Sequence, residues 1–358
     1  MNWVLVTGGA GFIGSNFLYY LRRQQPERPI LNLDLLTYAG NPENLSGFQG
    51  DSGYTFVKGD VADQELVQDL FAHYPISRVV NFAAESHVDR SIMDPGIFVR
   101  TNVLGTFTLL EAARRAWQNP YSDEAPRFLH VSTDEVYGSL GPADRPTTEE
   151  SPYAPRSPYA ASKASADFLA RSYFHTYNLP VLITNCSNNY GPYQFPEKLI
   201  PFSLSQALAD NSIPIYGQGT NVRDWLFVED HCQALLQVLE QGRLGETYNI
   251  GSGQGTPNLE LVRLLLRLLG EVRPDLGDLS RLITFVTDRP GHDWRYALNI
   301  GKIENELGWR PRVGLQEGLR RTVAWYLEHH DWLERVRSQA YRAFLKQQYG
   351  AAVVGATE

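Results

Sequence analysis

A glycine-rich turn near the start of the chain restricts its fold more than any other feature. Trp3-Val4-Leu5-Val6 is an apolar run with the length of a buried strand, and Thr7-Gly8-Gly9-Ala10-Gly11-Phe12-Ile13-Gly14 leads from it into helical spacing over 12–25. Gly9, Gly11 and Gly14 fit G-x-G-x-x-G, while Gly8, Gly11 and Gly14 give G-x-x-G-x-x-G. Glycines at these places permit a tight turn, let the backbone approach a pyrophosphate, and bring the free N–H groups of a helix N-terminus up to its charge. The context adds weight: a second apolar run, Pro29-Ile30-Leu31-Asn32-Leu33, ends in Asp34. A carboxylate there can accept from ribose hydroxyls and repels a 2′-phosphate, so the expected cofactor is NAD rather than NADP.

The alternation of strand and helix continues. Tyr54-Thr55-Phe56-Val57-Lys58 leads to Asp60, expected to meet the adenine, and Val61; Asp63 is the better helix cap. Residues 77–84 form a fourth strand, whose Ala83 and Ala84 are small enough for a cofactor to lie across. Residues 85–91 are polar and loop-like, and His87 within them suits packing or a substrate shell. Residues 103–117 are helical, with an apolar stripe through Leu104, Phe107, Leu110 and Ala113. This order predicts an α/β fold, a doubly wound parallel sheet with ligands beyond the strands' carboxyl ends.

The chemistry concentrates in 127–163. Arg127-Phe128-Leu129-His130-Val131-Ser132 is a strand running into Thr133-Asp134-Glu135, a hydroxyl followed by two carboxylates. After a Pro-rich loop, Ser157-Pro158-Tyr159 opens a helix with Tyr159 and Lys163 at i and i+4 on one face. An ammonium beside a phenol lowers its pKa, which would make Tyr159 a base near neutral pH. Such a pocket could remove an alcohol proton and also eliminate water.

Beyond the apolar run 180–186 the texture turns polar and turn-rich, which marks a smaller, discontinuous α/β substrate domain. The expected division is 1–190 with about 224–250 for the cofactor, 191–223 with 251–350 for the substrate, and a tail at 351–358. Arg223 and the segment Asp288-Arg289-Pro290-Gly291-His292-Asp293 are candidates to hold a diphosphate, or else make internal ion pairs. The pair His329-His330 suits a solvated surface.

A net charge of −8 argues against nucleic-acid or anionic-membrane partners, and the apolar runs are too short to span a bilayer. The expected location is cytoplasmic. Cys186 and Cys232 are the only cysteines, in core-like segments, so neither a disulfide framework nor a metal site is expected.

The glycine turn, the Tyr159/Lys163 pair and Thr133 resemble the extended short-chain dehydrogenase/reductase superfamily. Within it, Thr133-Asp134-Glu135 and the segments 83–91, 185–192 and 288–293 closely resemble the dTDP-glucose 4,6-dehydratases, over roughly 1–326. Asp134 is the most specific residue, since related epimerases usually carry Ser or Ala there. The resemblance implies catalytic Thr133, Asp134, Glu135, Tyr159 and Lys163. It implies cofactor contacts at Gly8, Gly11, Phe12, Ile13, Gly14, Asp34, Leu35, Thr37, Asp60, Val61, Ala83, Ala84, Thr101, Tyr159, Lys163 and Asn189. Substrate contacts would be Ser86, Thr133, Asn188, Lys198, Leu199, Arg223, Asn258, Arg289 and His292. It also implies a homodimer through the helices at 103–117 and 157–178. A UDP-glucose 4,6-dehydratase or a 4-epimerase of the same superfamily is the alternative.

Overall fold

The computed structural model describes residues 2–118, 124–288 and 291–336. Its strands are β1 (Trp3–Thr7), β2 (Ile30–Asp34), β3 (Tyr54–Lys58), β4 (Ile76–Asn81), β5 (Arg127–Thr133), β6 (Val181–Cys186), β7 (Asn188–Tyr190), β8 (Ile213–Tyr216), β9 (Val222–Phe227), β10 (Thr247–Ile250), β11 (Gly255–Pro257) and β12 (Ile283–Val286). Seven of them form one sheet in the order β10-β6-β5-β4-β1-β2-β3. Every pairing in it is parallel. The order reverses at β1 beside β4, where a doubly wound sheet opens its crevice.

Alternation along the strands gives each face its core. Val4 and Val6 of β1, Val80 of β4, Leu129 of β5 and Leu182 of β6 pack with Phe17, Leu18 and Leu21 of the helix Phe12–Gln24 and with Leu235 and Val238 of the helix Val228–Gln241. Their neighbours Leu5, Val79, Phe128, Val181 and Ile183 point the other way, onto the helices Gln64–His73, Gly105–Ala116 and Pro158–Tyr177. With both faces covered, the middles of such strands must be apolar on both sides, as at Val4, Leu5 and Val6 of β1 and Val79 and Val80 of β4. Asp63 caps the helix that follows β3, accepting from Leu66 N at 3.1 Å.

A second core lies around Ile200, Leu204, Ile213, Ile215, Leu261, Leu265, Leu319 and Tyr326. It is accompanied by a three-stranded sheet, β11-β9-β7, and a two-stranded one, β12-β8. The chain re-enters the large sheet at β10, which pairs with β6.

Three local expectations are corrected. The fourth strand ends at Asn81, so Phe82, Ala83 and Ala84 lie past its carboxyl end. Residues 85–91 are not all loop, because a helix starts at Val88. The helix expected from Val103 is entered through a π-helical segment, Val99–Leu104, before the α-helix at Gly105. The stripe on that helix is divided: Leu110 and Ala113 are fully buried in the chain's own core, whereas Leu104 is 38% exposed. His329 and His330 are exposed, and His329 stacks on Trp325. The tail at 351–358 lies outside the described residues.

Candidate active site

The crevice at the head of β1 is shaped by what its glycines lack. Gly8 has φ +70°, and a Cβ on it would come within 2.7 Å of the Ala83 amide nitrogen; on Gly14 it would lie 2.2 Å from the Gly8 carbonyl oxygen. The glycine turn can therefore press against the end of β4 and against its own helix only without side chains. Gly11 caps the helix Phe12–Gln24 without any side-chain acceptor, leaving its first N–H groups to a ligand. The turn is also held from below. Asn32 Oδ1 accepts from Gly9 N at 3.1 Å, and Asp34 accepts from Ala10 N at 2.9 Å and Leu36 N at 2.8 Å. Burial nevertheless pushes the Asp34 carboxyl above its ordinary value, against those two bonds. Asp60 accepts from Ala62 N at 2.8 Å and pairs with Arg100 at 2.8 Å.

At the opposite end of the crevice, β5 delivers the acidic pair. Thr133 is its last residue, and its hydroxyl accepts from Glu135 N at 3.3 Å, capping the tight 3₁₀ turn Asp134–Tyr137. That cap fixes how the two carboxylates leave the strand. The helix Pro158–Tyr177 starts where Ser157 Oγ accepts from Ala160 N at 3.1 Å, with Pro158 in its first turn. It presents Tyr159, which shares a hydrogen bond with Thr133, and Lys163, whose Nζ donates to the Val131 carbonyl at 2.8 Å.

Each of the residues anticipated on the cofactor side lines a single cleft, together with Thr133, Asp134, Glu135, Ser86, Asn188 and Lys198. Asp134 is 3% exposed, and burial, then the charges of Glu135 and Asp224, hold its carboxyl well above the usual range. Glu135 is only partly buried. One carboxyl is thus kept as an acid next to another that water can reach. Cys186 also lines the cleft, but burial first and Asp134 second push its thiol up to about 12, which leaves no nucleophilic thiolate.

The expected effect of the ammonium on Tyr159 is corrected. Burial, then the negative charge of Glu135, raise the phenol well above its ordinary value, and burial lowers Lys163. Desolvation of both groups outweighs their proximity on the helix, so the phenol rests protonated.

The substrate candidates divide. Lys198 Nζ donates to the Ser86 carbonyl at 3.0 Å, tying two of them together at the cleft. Leu199, Arg223, Asn258 and His292 are not among the residues lining it. The Arg223 guanidinium donates to the Asp293 carbonyl at 2.8 Å and lies over the Tyr296 ring at 4.3 Å. Asp224 accepts from Ser252 N at 2.9 Å and Gly253 N at 3.0 Å. His292 Nδ1 is 2.5 Å from Asp288 Oδ1, and Asn258 begins the helix Asn258–Val272. Arg289 lies outside the described residues.

Sequence reasoning missed Gln194, Phe195 and Glu197, which also line the cleft. Glu197 is buried and paired with Arg90 at 3.1 Å, and Arg90 in turn lies over the Tyr38 ring at 3.8 Å. A lone Glu in a polar, Pro-rich stretch carries no periodic signal; only the charge at Arg90, far along the chain, marks it as a buried partner. The two cysteines are free and buried, and no cluster suited to a metal occurs among the described residues.

The family model described as GDP-mannose 4,6 dehydratase matches residues 5–322. A dTDP-glucose 4,6-dehydratase from Xanthomonas campestris pv. campestris (strain B100) is 52% identical over 342 residues, covering 94% of this chain and 97% of its own. Among solved structures, the dTDP-glucose 4,6-dehydratase from Bacillus anthracis str. Ames in complex with NAD is 46% identical with a TM-score of 0.84, covering 94% of this chain and 100% of that one. That from Streptomyces venezuelae with NAD and TYD bound is 48% identical with a TM-score of 0.85, covering 93% and 99%. With the glycine turn, the Tyr159/Lys163 helix and the Asp134–Glu135 turn meeting in one cleft, the chain belongs to the dTDP-glucose 4,6-dehydratase family, within the wider family that the GDP-mannose 4,6 dehydratase model describes.

Proposed function

We infer that this chain is an NAD-dependent hydro-lyase, a dTDP-glucose 4,6-dehydratase, which converts dTDP-glucose to dTDP-4-keto-6-deoxyglucose. The observation that carries the reading is the pairing of a buried Asp134, its carboxyl raised well above the ordinary range by burial, with a partly exposed Glu135 in the cleft that also holds Thr133, Tyr159 and Lys163.

The residues fit the cofactor. The turn around Gly8 and Gly14 has no room for a Cβ, the helix N-terminus is uncapped, and the Asp34 carboxylate stands at the end of β2 in the cleft lining. Bound NAD would supply a cationic ring, a hydride acceptor for C4 and a hydride donor for C6. Tyr159, sharing its hydroxyl with Thr133 and backed by the Lys163 ammonium, would take the proton of the C4 hydroxyl as its phenolate, a form that burial disfavours in the resting chain and that the cationic ring beside the ammonium would favour. The ketone so made acidifies C5–H, and Glu135 removes that proton as general base. Asp134, kept protonated by its burial, donates to the leaving C6 hydroxyl, and water departs. Glu135 then gives its proton back to C5, and the proton taken up by Tyr159 returns through the Thr133 hydroxyl, which donates to Asp134 Oδ1 at 3.3 Å, so each group ends as it began. A general acid and a general base of this kind each contribute about 10²- to 10⁴-fold.

Residues 1–190 with about 224–250 would hold the cofactor, and 191–223 with 251–350 the sugar nucleotide. A homodimer through the helices at 103–117 and 157–178 is supported by the apolar side chains left exposed on and beside them, Ile92, Met93, Ile97, Val99, Leu104 and Phe168. No helix among the described residues is long and apolar enough to cross a membrane, and a cytoplasmic location suits a nucleotide-sugar substrate.

The deciding experiment incubates the protein with dTDP-glucose and, in parallel, UDP-glucose, following loss of one water by mass spectrometry and the alkaline absorbance of a 4-keto sugar. Turnover of dTDP-glucose well above UDP-glucose is expected. Equal turnover would refute the nucleotide assignment, and an isomerised product of unchanged mass would make the protein an epimerase.

A further inference from the structure

One group of titratable side chains, buried at Asp167 and His130 and partly buried at Tyr153, has no part in the steps above. Asp167 lies one turn beyond Lys163, as Lys163 lies one turn beyond Tyr159, so the three share a face of the helix Pro158–Tyr177. Its side chain is fully buried, with Ser132 Oγ and the Tyr153 hydroxyl each donating to its Oδ2 at 2.9 Å. Its other oxygen is 3.3 Å from His130 Nε2.

The histidine's proton can be assigned from its surroundings. Thr7 donates to Asn81 Oδ1 at 2.6 Å, which leaves the Asn81 amide nitrogen as the donor to His130 Nδ1 at 3.2 Å. Neutral His130 then carries its hydrogen on Nε2, the nitrogen that lies 3.3 Å from Asp167. His130 and Ser132 flank Val131, whose carbonyl receives the Lys163 ammonium at 2.8 Å, and Ser132 precedes Thr133. The Asp167 carboxylate therefore meets β5 on both sides of the residue that holds Lys163, bonded to Ser132 and in close contact with His130.

The groups facing that ammonium are Tyr159 and Asp167 from its own helix, His130 from β5, and Cys186 from β6. Burial and the charge of Lys163 keep His130 neutral, and the Cys186 thiol is neutral too, pushed up to about 12. Asp134 and Glu135, from the turn after β5, bear on Tyr159. A cation taken out of water needs an anion, and Asp167 is the carboxylate that faces it.

We propose that Asp167 is a positioning residue for the reaction: its carboxylate is the fixed counter-charge that keeps the buried Lys163 ammonium protonated, and its grip on β5 sets where that ammonium meets Tyr159. This rests on the reading of Tyr159 and Lys163 given under the proposed function, and two measurements keep the claims apart.

The first is the pH profile of dTDP-glucose turnover by the full-length enzyme. Asp167→Asn keeps the shape and removes the charge, so kcat should fall with KM unchanged, and its basic limb should move toward neutral by about one pH unit or more. Ser132→Ala, which takes away one hydrogen bond and leaves the charge, should keep the limb where the wild type has it. An unmoved limb in Asp167→Asn, or an equal displacement in Ser132→Ala, overturns the proposal.

The second measurement needs no activity. Melting temperatures of Asp167→Asn, Lys163→Met and the double variant form a cycle in which either single change strands one buried charge. The double variant should melt closer to the wild type than the summed losses allow, and should recover the fold if Asp167→Asn alone loses it. Additive losses, or a double variant as unfolded as the single one, overturn the proposal. If the wild type leaves dTDP-glucose untouched, the functional reading fails while the cycle still decides the role of Asp167.

Discussion

His231 offers a prediction whose size follows from its surroundings. It lies in the first turns of the helix Val228–Gln241, fully buried, and burial alone pushes its pKa from 6.5 down to about 3. The folded chain therefore keeps it neutral in a range where the unfolded chain binds a proton. The stability cost is absent above the unfolded value, grows as pH falls below 6.5, and saturates below about 3. At about pH 4.5, two pH units below the unfolded value, it amounts to about 2.7 kcal/mol at roughly 1.36 kcal/mol per unit. For 358 residues at about 2.1 cal/mol/K each, unfolding entropy is about 0.75 kcal/mol/K, so the melting temperature should drop by about 3–4 °C from this side chain. The buried carboxyls Asp34, Glu85 and Glu197, all raised by burial, work in the opposite sense and favour the fold as pH falls. They are common to wild type and variant and cancel in the comparison. The assay is thermal melting of the wild type and His231→Leu at about pH 7.5 and 4.5, and the wild type should lose about 3–4 °C more than the variant across that range. Parallel losses would refute the reasoning, because a desolvated histidine cannot avoid this linkage.

The site yields further expectations. Tyr159→Phe should cut turnover by about 10²- to 10⁴-fold and abolish the substrate-induced absorbance of reduced nicotinamide; a normal signal would remove Tyr159 from the first proton transfer. Asp134→Asn should leave that absorbance and stall the loss of water, so reduced nicotinamide accumulates. The same variant should melt above the wild type at pH 8 and converge with it in acid, because a carboxyl raised by burial stabilises the fold when protonated and loses that contribution as pH rises through its folded pKa. A lower melting temperature at pH 8 would contradict the burial account. Gly14→Ala brings a methyl to 2.2 Å from the Gly8 carbonyl oxygen, so a loss of about 1–3 kcal/mol by denaturant titration and weakened NAD binding by calorimetry are expected.

What the sequence made legible depended on how local the physics was. The glycine turn, Asp34 at the end of β2 and Tyr159 with Lys163 are fixed by one strand, one turn or one helix, and each reached the cleft through geometry that a few neighbouring residues dictate. The titration of Tyr159 was read with the wrong sign for the complementary reason. Its i,i+4 spacing to Lys163 is visible in the chain, but the depth of the pocket and the approach of Glu135 from another element are not. Arg223 shows the same limit: its charge suggested a phosphate, while its contact with the Asp293 carbonyl joins segments far apart in the chain that the sequence does not bring together. Asp167 is the sharpest case. In the sequence it is one acid on an amphipathic helix, normally a solvated position; only when β5 brings His130 and Ser132 against it does it become a fully buried carboxylate facing the ammonium that the chemistry needs. Motifs reveal the groups that touch substrate, whereas the charges that tune those groups come from across the sheet, and they are found by asking which buried ion lacks an explanation in its own element.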